Sequence, residues 1–119
     1  MTGGNRGIGK AIAEAFVANG DQVAVTYRSG EPPEGVLGVR CDVTDPAAVE
    51  AAFAEVEEKH GPVEVLVANA GITRDTLVLR MSEDDWASVL ETNLTGSFRV
   101  AKRAAKGMLR QRKGRIIFI

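Results

Sequence analysis

A glycine-rich segment near the start of the chain has the composition of a phosphate-binding loop. It reads Thr2-Gly-Gly-Asn-Arg-Gly-Ile-Gly9. Glycine lets a backbone approach phosphate oxygens closely, and a helix that starts at the end of the loop adds free N–H donors and the positive end of its dipole. Apolar residues recur at helical spacing from Ile8 to Phe16, which predicts that helix. The segment therefore predicts a site for the pyrophosphate of a dinucleotide.

The glycine spacing leaves alternatives open. The pattern Gly-x-x-x-Gly-x-Gly differs from the usual dinucleotide fingerprint, and Gly4 to Lys10 fits the first seven positions of a nucleoside-triphosphate loop, Gly-x-x-x-x-Gly-Lys. The next position of that loop needs a Ser or Thr hydroxyl to hold magnesium, and here it is Ala11. A dinucleotide is therefore favoured over a triphosphate, and a plain glycine turn is the remaining alternative.

Two arginines indicate which dinucleotide is bound. Arg28 follows a short β-rich run, roughly 20 residues beyond the loop, where NAD enzymes place an acid for the ribose 2′-OH. A basic residue there suits the 2′-phosphate of NADP instead, and Arg6 in the loop is a possible second partner. These residues favour NADP(H). The alternative is that both arginines only solvate loop tips.

Polar and small residues follow two further predicted strands, where open parallel sheets bind their ligands. We expect the Asp42 carboxylate to accept the adenine amino group while Val43 packs nearby. In the segment Asn69-Ala70-Gly71, small residues would let a cofactor lie against the backbone, and Asn69 can fasten neighbouring strands. The alternatives are a cap or turn role for Asp42 and a simple turn for the second segment.

Asn93 stands out in the last predicted helix. Trp86, Val89, Leu90 and Ser97 define the stripe that we expect to face inward, and Asn93 falls on it. A buried amide must find hydrogen-bond partners, so Asn93 is a candidate site residue, and bonding to the backbone is the alternative. His60 has no companions for metal binding, and we predict no metal site.

The elements that position these residues alternate along the chain. Short connections between alternating strands and helices predict an α/β fold, a doubly wound parallel sheet of the Rossmann type. Only Met1 and Thr2 precede the glycine loop, and the chain stops on Ile119 in a strand, so we expect an incomplete sheet that lacks its first strand and its C-terminal half. The predicted strands are Gln22–Tyr27, Val36–Cys41, Val63–Ala68 and Arg115–Ile119, and the predicted helices run from Ile8, from Pro46 to His60 and from Ser82 to Gly114.

Composition restricts the class of protein. The 119 residues, of which 45% are hydrophobic and 26% charged, predict a single partial NADP-binding domain over residues 1–119. No apolar run approaches the ~20 residues of a membrane span and Cys41 has no partner thiol, so we expect a cytoplasmic protein. No acid follows Glu91, and the run Lys102–Arg115 is basic, which indicates a solvated face or an acidic partner. Few aromatics accompany the basic residues, which argues against nucleic acid.

Four motifs resemble the short-chain dehydrogenase/reductase family in order and spacing, and the likeness covers essentially the whole chain. They are Thr2–Gly9, Asp42-Val43, Asn69-Ala-Gly71 and Asn93-Leu-Thr-Gly96. Within the family, Gly4–Gly9, Gly61–Val67 and Asn93–Val100 look most similar to the NADPH-dependent 3-oxoacyl-[acyl-carrier-protein] reductases of actinobacterial type. The resemblance assigns cofactor positions to Gly3, Asn5, Arg6, Gly7, Ile8, Gly9, Arg28, Asp42, Val43, Asn69, Ala70 and Gly71.

The resemblance also implies a reaction and partners. Asn93 matches the catalytic asparagine, which holds a water in a proton relay in such enzymes. It further implies fatty-acid synthesis, a homo-oligomer as the full-length protein, and an acyl carrier protein that meets the basic run from Lys102.

The chain departs from the family at the catalytic centre. Its only tyrosine, Tyr27, lies in a predicted strand and is followed four places later by Glu31, so the family's tyrosine and lysine are absent, as is its serine. Ala68 also replaces the first asparagine of Asn-Asn-Ala-Gly. We therefore expect roughly half of a reductase, inactive alone. The alternatives are a non-catalytic nucleotide-binding or assembly fragment and a dehydrogenase for another carbonyl or alcohol.

Overall fold

The computed structural model describes residues 1–119 and contains four short strands and four α-helices, with the doubly wound α/β character that the sequence predicts. The strands are β1 (Ala24–Tyr27), β2 (Leu37–Arg40), β3 (Val65–Ala68) and β4 (Arg115–Phe118). The helices are α1 (Gly7–Ala18), α2 (Pro46–His60), α3 (Glu83–Val89) and α4 (Gly96–Gln111), with a 3-10 turn at Val78–Arg80 and a π-helical segment at Leu90–Thr95. No helix combines the length and apolar composition needed to span a bilayer.

The sheet consists of two parallel pairs joined by the first residues of the chain. β1 pairs with β2, and β3 pairs with β4. Between the two pairs, Thr2 forms a parallel bridge with Thr26, and its N–H donates to the Val67 carbonyl oxygen at 2.9 Å. The spatial order is thus β2, β1, the Thr2 segment, β3 and β4. Because the order reverses at the Thr2 segment, a crevice opens there at the carboxyl ends of the strands.

Local sequence signals set the helix ends. Asp45 caps α2 by accepting the Ala47 N–H at 2.9 Å, and Ser82 caps α3 by accepting the Asp85 N–H at 3.0 Å. Gly20, two residues beyond the end of α1, has φ of 90°, in the left-handed region that favours glycine.

Apolar side chains form two clusters, one on each face of the sheet. α2 and α4 cover one face, where Val49, Ala52 and Phe53 of α2 are buried. α1 covers the other face, where Ala13 packs with Val25 of β1. Helices on both faces leave only the strand ends accessible to a ligand.

The helix predicted over Ser82–Gly114 is instead interrupted by the π-helical segment. Its predicted inward stripe is wrong at Trp86, Leu90 and Asn93, while Val89 and Ser97 are partly buried. Trp86 is 58% exposed, Leu90 is 40% exposed, and Asn93 is exposed as well. The buried side of this helical region carries Thr92, Gly96, Val100, Ala104 and Met108. Small residues there allow a close approach to the sheet: a Cβ at position 96 would lie 2.6 Å from a methyl carbon of Val43. The stripe with small residues therefore packs against the sheet, because the bulkier stripe could not approach it as closely.

Ion pairs occupy part of the basic run. Arg103 donates to both carboxylate oxygens of Glu57 at 3.0 and 2.7 Å and to Glu50 at 2.8 Å, and its guanidinium lies 5.1 Å from the centre of the Phe53 ring. Lys113 donates to Glu64 at 2.8 Å. The expectation of a solvated basic face is therefore wrong at Arg103, whose side chain is 14% exposed because acids of α2 pack against it. Lys113 is ion-paired as well, but its side chain is 67% exposed and stays solvated.

Candidate functional site

A groove of about 470 Å³, lined by 18 residues, opens at the carboxyl ends of β1, β2 and β3. It brings together every residue that the sequence predicted to contact a cofactor: Gly3, Asn5, Arg6, Gly7, Ile8, Gly9, Arg28, Asp42, Val43, Asn69, Ala70 and Gly71. The prediction missed the other lining residues, which are Thr26, Tyr27, Ser29, Cys41, Ile72 and Thr92. Most of these neighbour predicted residues in sequence, and adjacency was the only signal that could have found them.

The glycines of the loop meet two different physical demands. Gly3 and Gly7 have φ of 62° and 53°, in the left-handed region that disfavours side chains. At Gly9 space is the constraint, because a Cβ there would lie 2.2 Å from the Gly3 carbonyl oxygen. No side chain caps α1 at its N-cap residue Arg6, so N–H groups of its first turn are left for a ligand at the groove.

Asn69 fastens the Thr2–Gly3 segment of the glycine loop to the end of β3, whereas the sequence suggested only that it can fasten neighbouring strands. Its Nδ2 donates to the carbonyl oxygens of Thr2 at 3.1 Å and Gly3 at 3.0 Å. In return, the Thr2 hydroxyl oxygen accepts the N–H groups of Asn69 and Ala70, each at 3.0 Å. These four contacts hold the loop although only a short segment of strand precedes it.

Arg28 and Asp42 both line the groove, and their side chains face each other. The Arg28 Nη1 is 3.8 Å from Asp42 Oδ2, and the Arg28 side chain is 61% exposed and accessible to a ligand. Asp42 Oδ1 accepts the Thr44 N–H at 2.9 Å and the Thr44 hydroxyl at 2.8 Å, which is the turn role left open as an alternative. The backbone hydrogen bond from Thr44 is the main reason that the pKa of Asp42 lies below its ordinary value, with the Thr44 hydroxyl and Arg28 acting in the same direction against desolvation. Asp42 is therefore an ionised acceptor whose second oxygen remains accessible.

Asn93 lies on the π-helical segment beside the rim of the groove. Its Oδ1 accepts the Ile72 N–H at 2.8 Å, and its Nδ2 donates to the Ile72 carbonyl oxygen at 3.0 Å. The Asn93 backbone oxygen accepts the Ser97 hydroxyl at 2.7 Å. The side chain thus bonds to backbone, the alternative considered from the sequence, and it ties the helix to the segment that follows Gly71.

Cys41 and His60 contribute little chemistry. Burial, with smaller effects of Asp42 and Asp45, raises the pKa of the Cys41 thiol to about 11, so the sulfur is a neutral thiol at the floor of the groove. His60 lies at the end of α2 and lines a separate cavity. The structure assembles no group of three His, Cys, Asp or Glu side chains that could hold a metal ion.

The sequence is similar to known proteins along its whole length. The model of the short chain dehydrogenase family matches residues 1–119. The chain is 56% identical over its full length to 3-oxoacyl-[acyl-carrier-protein] reductase MabA of Mycobacterium avium, of which it covers 47%. It is 42% and 40% identical to the reductases FabG of Salmonella typhimurium and Escherichia coli, of which it covers 52% each. The chain thus spans about half the length of these relatives, and it belongs to the short chain dehydrogenase family.

Proposed function

We propose that this chain is the NADP(H)-binding part of a short-chain reductase, and that the whole protein transfers hydride from NADPH to a 3-oxoacyl thioester on acyl carrier protein. The observation that carries the proposal is the single groove into which all the predicted cofactor residues converge, with Arg28 at its wall. The substrate is proposed from the printed names of the relatives. Bound NADPH supplies the hydride, and the groove supplies orientation.

Each part of the groove has a proposed task. The glycine loop and the first turn of α1 bind the pyrophosphate through backbone N–H groups. Arg28, assisted by Arg6, pairs with the 2′-phosphate, and the Asp42 oxygen that Thr44 does not bind accepts from the adenine amino group. Asn93 fixes the backbone of Ile72 at the groove rim and corresponds to the relay asparagine of the family. The tyrosine and lysine that complete the reaction are not among these residues, so we expect no turnover by residues 1–119 alone.

The basic run is the proposed docking surface for the acidic carrier protein. With Arg103 and Lys113 paired to acids, the cations that remain for docking are Lys102, Lys106, Arg110, Arg112 and Arg115. We replace Lys102, Lys106 and Arg110 with Glu in the full-length protein. The variant should bind acyl carrier protein more weakly and bind its other ligands with unchanged affinity. Unchanged affinity for acyl carrier protein would remove the docking proposal. We also propose a cytoplasmic location and a homo-oligomer for the full-length protein.

Cofactor choice provides the direct test. Binding of NADPH and NADH is measured by fluorescence titration of the full-length protein and its Arg28→Glu variant. A charge-assisted contact is worth about 1.5–3 kcal/mol, so the variant should bind NADPH about 10-fold to 100-fold more weakly and NADH nearly unchanged. Arg40→Glu is the matched control, because Arg40 is exposed on the neighbouring strand and does not line the groove. Equal effects of the two variants, or no NADPH preference in the wild type, would refute the NADP assignment.

A further inference from the structure

The wall of the groove around Asp42 is supported from behind by α4. Val43 lies between them and is only 5% exposed. Gly96 brings the helix so close that a Cβ at this position would lie 3.5 Å from the Val43 carbonyl oxygen as well as against its side chain. One side chain of α4 donates to this turn: the Arg99 Nη1 lies 3.4 Å from the Val43 carbonyl oxygen. The turn that carries Asp42 thus has a polar support that is not part of the groove lining.

Arg99 is itself held in place by the π-helical segment. Its Nη1 donates to the Glu91 carboxylate at 2.6 Å, and its side chain is 22% exposed, against 44% for Glu91. Glu91 precedes Thr92, which lines the groove, and Asn93, which fixes Ile72 at the rim. Contacts therefore run from the Asn93 segment through Arg99 to the Val43 carbonyl.

We propose that Arg99 is a positioning residue for the adenine end of the groove, acting through the Val43 carbonyl to fix the turn that presents Asp42. This inference rests on the proposed cofactor site and names a residue that touches no cofactor. Without Arg99, the Val43–Thr44 peptide gains freedom and the hydrogen bond from the Thr44 N–H to Asp42 opens more often, so the acceptor oxygen of Asp42 is less well directed. The geometry of the site suffers more than the stability of the fold, because Glu91 is exposed enough to be solvated alone.

The test compares two arginines of the same helix. Arg99→Met retains the apolar stem and removes the donor, and Arg99→Lys retains a single charged donor. Arg103→Met is the matched control, because the carboxylate that Arg103 binds belongs to α2 and does not line the groove. Binding of NADPH and of 2′,5′-ADP is measured by calorimetry on the full-length protein. Amide hydrogen exchange of Thr44 is measured by NMR without ligand, and unfolding is measured in urea.

Arg99→Met should weaken both ligands by the same factor, about fivefold, the equivalent of about 1 kcal/mol, because they share the adenosine end. Exchange of the Thr44 N–H should accelerate by a similar factor, and Arg99→Lys should recover part of both effects. Arg103→Met should lower the urea midpoint and leave both affinities and Thr44 exchange unchanged.

Several outcomes would overturn the proposal: unchanged Thr44 exchange in Arg99→Met, or equal effects of the two Met variants on affinity. If Arg99→Met does not fold, Glu91→Gln takes its place and should produce the same pattern at smaller size. The two proposals can fail separately. If the wild-type protein binds no NADPH, the cofactor site is refuted; if Thr44 exchange still accelerates only in the Arg99 variants, the conclusion that Arg99 fixes the turn stands.

Discussion

Replacement of Gly9 by Ala sets two physical rules against each other. Gly9 lies in the first turn of α1, so helix propensity alone predicts that alanine stabilises the protein by up to ~1 kcal/mol. The structure predicts the opposite, because the new Cβ would lie 2.2 Å from the Gly3 carbonyl oxygen and 2.5 Å from the Asn69 Nδ2. Overpacking of this kind costs ~1–3 kcal/mol, and contact with a backbone oxygen belongs at the upper end. The net expectation is a loss of about 1–2 kcal/mol, with the loop displaced from Asn69.

Gly107→Ala is the matched control, since Gly107 lies within α4 and the nearest atom to its added Cβ is a Glu57 carboxylate oxygen at 3.6 Å. This variant should gain up to ~1 kcal/mol. Thermal unfolding followed by circular dichroism separates the two, at roughly 4 °C per kcal/mol for a domain of this size. Gly9→Ala should also bind NADPH more weakly than the wild type. If Gly9→Ala raises the melting temperature as Gly107→Ala does, the close contact of the loop with α1 is refuted.

Three further predictions follow from burial and charge. Burial raises the pKa of Cys41 from its ordinary value of 9.0 to about 11, so at pH 8 it holds about 100-fold less thiolate than an exposed cysteine. Iodoacetamide should therefore alkylate it far more slowly in native than in urea-unfolded protein, and equal rates would contradict its burial. The hydrogen bonds from Arg103 lower the pKa of Glu57 in the folded protein. They therefore stabilise the fold at pH values above the ordinary glutamate pKa of 4.5, and this stabilisation is lost as the pH falls through the lowered pKa. In Glu57→Gln, the free energy of unfolding measured in urea should fall less steeply as the pH is lowered. Ile117 and Phe118 are 41% and 60% exposed on the edge strand β4, so the chain should self-associate with rising concentration in sedimentation, and a monomer at all concentrations would contradict this.

The location of the groove could be predicted from the sequence because strand ends carry strong local signals. Asp42 and the segment Asn69–Gly71 each follow an apolar run, and parallel strands bring their carboxyl ends to one edge. Backbone direction alone then places these residues beside the glycine loop. A fastening role for Asn69 could be predicted because an amide removed from water must find partners, but its partners in the glycine loop appear only in the structure.

The orientation of the last helical region could not be predicted in the same way. Both of its stripes contain apolar residues, and hydrophobic periodicity does not say which of them meets the sheet. The decision depends on distance: Gly96 and Ala104 let the helix approach closely, whereas Trp86 and Phe98 would hold it away. The partners of Arg99 and Arg103 were hidden for a related reason, because acids distant in sequence meet them only after α2 and α4 have packed.

The glycine pattern of the loop departs from the usual dinucleotide fingerprint without losing its physical content. Gly3 and Gly7 supply positive φ, and nothing lies within 4 Å of an added Cβ at Gly7, so that position is set by backbone conformation alone. Gly9 is set by packing against the Gly3 carbonyl and Asn69. Two glycines of the loop are thus required by backbone conformation and one by lack of space. The spacing between the glycines can differ from the usual fingerprint wherever the backbone meets these requirements at other positions. A loop of this kind depends on Asn69 and Thr2 as much as on its glycines, because they fix the peptide groups that the glycines allow to turn.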